Sequence, residues 1–148
     1  MKMGFEMRLK QDLPSHFSDI RAQALDLNQA VISLCVMGRS IGFERSHWGL
    51  YMPEPACAAF GIVAGDPVVA ELTALEFGLL QSLKSDGAQV IIETGSPRVL
   101  DLLRGTIRTE PPEAQIVRRQ LEAFQHVHLH LVDFNDLEIV VAPYRNVL

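Results

Sequence analysis

Three histidines alternate with apolar residues in the segment His126 to Val132, HVHLHLV. Successive side chains of a strand point to opposite faces, so His126, His128 and His130 share one face and Val127, Leu129 and Leu131 the other. Imidazoles on one strand face can converge on a transition metal. The plainer reading is a strand whose apolar side points into the core and whose histidine side meets solvent, since no carboxylate or cysteine lies close by. The cysteines, Cys35 and Cys57, lack CxxC spacing and read as reduced packing residues. Arg98, Arg104, Arg108, Arg118 and Arg119 carry most of the positive charge of the second half. They are spread over separate helices without interleaved aromatics, which is a thin footprint for nucleic acid. The formal charge of -5 points the same way, because attraction to a phosphate backbone draws on clustered Lys and Arg.

The elements that must position these residues follow from periodicity. From Pro14 the apolar residues Phe17, Ile20, Ala24, Leu27, Val31 and Leu34 recur every three or four positions, which predicts an amphipathic helix capped by Ser15 and stopped at Gly38. Its stripe can pack on its own domain or form the seam of a homodimer. The Gly and Pro residues between Gly38 and Pro55 read as linker. Residues 1–47 are thus expected to form an N-terminal helical segment and linker, and residues 48–148 the main domain.

Beyond it, Ala58 to Val63 reads as a buried strand ended by Gly65-Asp66-Pro67. Val68 to Leu83 has helical spacing. Gln89 to Glu93 is a short β-branched run expected as a central strand, and Ser96-Pro97 opens a helix that Gly105 closes. Another helix starts near Pro111-Pro112-Glu113, and His126 to Val132 follows as a strand. The tail from Asp136 to Leu148 is compatible with a strand or a short helix. This order implies an α/β layer architecture with a partly parallel sheet.

The 148 residues are 48% hydrophobic and 21% charged, as in an ordinary globular domain. The apolar stretch Ala30 to Gly38 is far shorter than the roughly 20 residues of a membrane span. The first ten residues lack the layout of a secretory signal. The expected location is intracellular, cytoplasmic or nuclear, with no membrane partner.

Two segments in order carry a family resemblance. AAFGIVAGD, Ala58 to Asp66, is followed by AELTALEFGLLQSLKSDG, Ala70 to Gly87; QVIIETGSPRVLDLLRG then runs from Gln89 to Gly105. Together they resemble the plant and retroelement branch of the type 1 ribonuclease H family. The resemblance implies a mixed sheet flanked by helices, here with an extra N-terminal amphipathic helix. It implies Mg2+ as cofactor and an RNA:DNA hybrid as partner. Glu71 matches the family's catalytic, metal-binding glutamate on the first long helix. The expected aspartate after the QVIIE strand is Gly95, and Glu93, two residues earlier, is a weak substitute. Arg98 and Arg104 are candidates for hybrid contact. Phe124 and Asn135 fit the family's last motif, while Val132 and Ile139 stand where an arginine and the last metal ligand are expected.

The family's opening strand bears Asn-x-Asp-Gly, and on this resemblance it should fall at WGLYMPEPAC, Trp48 to Cys57, where Glu54 is the sole carboxylate. On the same resemblance the third strand is expected to be nearly deleted, with Pro67 to Val69 running straight into the helix. Two-metal hydrolysis needs several carboxylates converging on two Mg2+ ions roughly 4 Å apart. The expectation is therefore a nucleic-acid-binding domain of hybrid-ribonuclease ancestry with impaired catalysis. The rival is a protein-interaction or dimerisation module.

Overall fold

A computed structural model describes residues 4–10, 31–53, 56–82, 89–106 and 110–133. Among these, six strands form one sheet: β1 (Gly4–Lys10), β2 (Val31–Gly42), β3 (Arg45–Pro53), β4 (Ala56–Ala64), β5 (Gln89–Thr94) and β6 (His126–Val132). Three helices accompany them: α1 (Pro67–Ser82), α2 (Pro97–Arg104) and α3 (Pro112–Leu121). The strand order is β1-β6-β5-β2-β3-β4. β1, β6, β5 and β2 run parallel, and β2, β3 and β4 form an antiparallel meander. This is the mixed sheet flanked by helices that the resemblance implied.

The core lies between the sheet and the helices. Ile32, Leu34 and Val36 of β2, Val90 and Ile92 of β5, and Val127 and Leu129 of β6 face Leu72, Leu75 and Leu79 of α1 and Leu100, Leu103, Val117 and Leu121 of the other helices. Asp66 opens α1 by accepting the backbone N–H of Val69 at 3.0 Å, and Pro67 fills the first turn, where a missing donor costs nothing. Gly78 on α1 would meet Leu34 and Leu50 methyls at 3.1 Å if it bore a Cβ, so a glycine there lets the helix settle onto β2 and β3. Ser96 caps α2 by accepting from Val99 N at 3.2 Å, and Gly105 ends it at φ 73°. Arg118 of α3 donates to the Leu102 carbonyl at 2.9 Å and pairs with Glu110, tying α3 to the end of α2.

Several expectations change. Val31 and Leu34, expected at the end of the N-terminal helix, belong to β2; the rest of that helix, with the homodimer seam placed on it, lies outside the described residues except for Val31 onward. Gly38 to Pro53 is not linker but part of the β2–β3 hairpin. β2 pairs with β3 on one side and β5 on the other, so the expected division at 47/48 runs through hydrogen-bonded sheet. The opening strand is β2 rather than Trp48 to Cys57, and no strand is deleted before α1, since β2, β3 and β4 all precede it. The physical reason is burial: Ile32 through Gly38 are all buried, so β2 lacks the alternation that marks a half-exposed strand.

Candidate functional site at the ends of the central parallel strands

β2 and β5 lie side by side and run parallel, but their chains leave in opposite directions. β2 turns to β3 on one side, while β5 leads through α2 and α3 to β6 on the other. Such a reversal leaves a crevice beyond the carboxyl ends of the two strands, where open α/β sheets bind ligands. Here that position is flanked by Met37 and Gly38, where β2 runs on past its pairing with β5, by Thr94 at the end of β5, by Gly95 and Ser96 that follow it, and by the first turn of α1.

Gly38 sets how closely these parts approach. A Cβ on it would stand 2.3 Å from the Pro67 carbonyl oxygen and 3.2 Å from Glu71 Cγ, so β2 passes directly under the start of α1. Glu71 is thereby pressed into the sheet, with 4% of its surface exposed. The Thr94 hydroxyl donates to Glu71 Oε1, and the same hydroxyl accepts the backbone N–H of Ser96 at 3.0 Å. Burial pushes the Glu71 carboxyl up to about 8, outweighing the hydrogen bond from Thr94, which pulls it down. At neutral pH the group is an uncharged acid.

Glu93 does not join it. Thr94 points to α1, so its strand neighbour Glu93 points to the opposite face, where it is fully buried and in register with Cys35 of β2 and His130 of β6. The Cys35 thiol is held well above its usual range by burial first and by the Glu93 charge second, consistent with a reduced packing residue. The histidine face is not a solvent face either: His126 is exposed, His128 half-buried and within 2.8 Å of Gln89 Oε1, and His130 fully buried. The strict alternation of HVHLHLV is real, but both faces of β6 are covered near its end, with Val132 also buried.

Arg98 is exposed in the first turn of α2, just beyond the crevice, and Arg104 is exposed at that helix's far end. Arg118 is committed to Glu110 and the Leu102 carbonyl. Asn135, Ile139 and Glu54 lie outside the described residues. Among the described residues no group of three or more His, Cys, Asp or Glu side chains is placed to hold a metal ion, and no helix is long and apolar enough to cross a membrane. Sequence reasoning missed Met37, Gly38 and Thr94. The signal was the apolar run ending in Met37-Gly38, read as a helix and its stop.

No protein-family model matches the sequence, and no curated protein matches it at a significant level. Solved structures do. Ribonuclease H1 of the halophilic archaeon Halobacterium salinarum superposes with a TM-score of 0.62 at 17% identity, covering 74% of this chain and 90% of that one. The N-terminal ribonuclease H domain of a Mycobacterium tuberculosis protein, solved as a fusion with maltose-binding protein, gives 0.62 at 15% identity, covering 80% of this chain and 95% of that one. The chain therefore has the ribonuclease H-like fold.

Proposed function

We propose that this chain is a nucleic-acid-binding domain of ribonuclease H ancestry that engages RNA:DNA hybrids without cleaving them by the two-metal route. The observation that carries the reading is the setting of Glu71: buried, hydrogen-bonded by Thr94, and in no cluster of three or more metal-ligating side chains among the described residues. Magnesium requires ionised or carbonyl oxygens in near-octahedral array. One buried carboxyl beside Gly38 and Thr94 does not fit that requirement, and Glu93 faces away.

The names of the structural neighbours and the exposed Arg98 beside the crevice support the nucleic-acid half of the proposal. The AELTALEFGL and VIIETGSPRVLDLLRG segments support the plant and retroelement branch as its origin. An acidic chain with few phosphate contacts should bind weakly and with a shallow salt dependence, because the slope scales with the number of phosphates contacted. The test is fluorescence anisotropy of a labelled hybrid at low and physiological salt, for the wild-type chain and for Arg98→Ala and Arg104→Ala. Binding is expected at low salt, and losing one phosphate contact should lower the salt slope by about 1. No binding at low salt would reject hybrid recognition and leave an interaction module on the same fold.

A further inference from the structure

The two edges of the sheet differ in composition. β1, at one edge, includes Glu6, Arg8 and Lys10, the charged residues with which natural edge strands discourage pairing with another chain. β4, at the other, reads ACAAFGIVA over nine residues and has neither charge nor proline. It pairs with β3 without a break in register from Arg45↔Ala64 to Pro53↔Ala56, so no bulge twists it away. It is also longer than the usual five or six residues. Among the described residues no strand lies beyond β4, and Ile62 on it is 55% exposed. Length, unbroken register, neutrality and apolar character together leave a row of backbone donors and acceptors open to another strand.

We propose that β4 is the seam of a homodimer, pairing antiparallel with β4 of a second copy about a two-fold axis at Phe60. A two-fold antiparallel pair sets a strand against itself, so charged residues on it readily meet like charges; a neutral strand avoids this in every register. An axis at Phe60 overlaps the whole of Ala56 to Ala64 and sets each Ile62 opposite Ala58 of the second copy, large against small. Phe60 itself leaves the axis clear. Its ring stacks on His47 of β3 at 5.8 Å between centroids and 10° between planes, and it lies over Gly49, whose Cβ would meet it at 3.1 Å. The ring thus leans back over the sheet, away from the free edge.

The test is sedimentation velocity of the full chain from about 1 to 200 μM, a range that reads micromolar dissociation constants. It is run beside Ala58→Lys/Ile62→Lys and Ala58→Glu/Ile62→Glu, with circular dichroism checking that both fold. In each double variant like charges face each other across the seam, and dimerisation should weaken at least about tenfold. Mixing the two variants should restore the dimer, because lysines then face glutamates at the same positions. A wild-type chain that stays monomeric throughout, as it would if the edge awaited a foreign strand, overturns the proposal. So does a dimer that persists undiminished in both variants, which would place the seam elsewhere, or a mixture that fails to recover.

Discussion

Replacing Glu71 by Gln keeps the side chain's length and an oxygen that can accept from Thr94, and removes the ionisable proton. In the native protein the carboxyl keeps its proton up to pH about 8, while the unfolded chain releases it near 4.5. Between those values the folded state binds the additional proton, so stability falls as pH rises. The contribution is fully present below about 4.5 and lost as pH climbs through about 8. Each pH unit in the window corresponds to about 1.4 kcal/mol, so by pH 7 the wild type carries a penalty of roughly 3 kcal/mol that the Gln variant does not. The group is almost fully buried, so solvent screening does not discount this much. The Gln amide has one N–H more than the protonated acid, and leaving it unpaired costs about 1–3 kcal/mol at every pH. The slope is therefore a cleaner readout than the absolute difference. Urea denaturation of both proteins from pH 4 to 8 measures it: the wild type should lose stability with pH and Glu71→Gln should lose less, so that the difference between them shifts steadily in the variant's favour. Parallel curves would instead mean that Glu71 is already ionised in the folded chain.

Gly38→Ala should destabilise the fold by roughly 1–3 kcal/mol or more, because its methyl would sit 2.3 Å from the Pro67 carbonyl; an unchanged urea midpoint would show that β2 does not pass so close to α1. At the β2–β3 hairpin, Phe43 and Glu44 hold φ of 49° and 55°, a pair of left-handed residues for which Asn-Gly is preferred. Since Phe43 is fully exposed, replacing the pair by Asn-Gly should raise stability by about 1 kcal/mol, and a loss on thermal denaturation would contradict that turn.

Much of the domain's second half was legible in the chain. Ser96, Pro97 and Gly105 marked the start and stop of α2 because caps are local chemistry. Leu72, Leu75 and Leu79 announced α1 by their spacing, and His126 to Val132 announced β6 by alternation. The first half was misread for a physical reason. A central strand buried on both faces shows no period, and in VISLCVMG the positions of Val31 and Leu34 continue a helical stripe by coincidence of spacing. The hairpin that follows turns on Phe43-Glu44, with none of the residues a two-residue turn favours. At the site, Glu71 and Gly95 were singled out by resemblance, but the opening strand was assigned to the wrong segment, so Met37 and Gly38 went unnoticed. Glu93 looked like a partner of Glu71 because sequence proximity does not reveal that Thr94 takes the α1 face. His130 was placed in solvent because alternation identifies which residues share a face, not whether that face is covered.

If, as proposed, this ribonuclease H-like fold engages hybrids without two-metal cleavage, an RNA:DNA hybrid survives contact with it. Incubating a labelled RNA:DNA hybrid with the full chain in Mg2+ and then Mn2+, beside Glu71→Ala, tests it most directly. The hybrid should remain intact with both metals and with both proteins. Metal-dependent cleavage by the wild type that disappears in Glu71→Ala would contradict the account, since it would require Glu71 to ionise and serve as a ligand despite its burial.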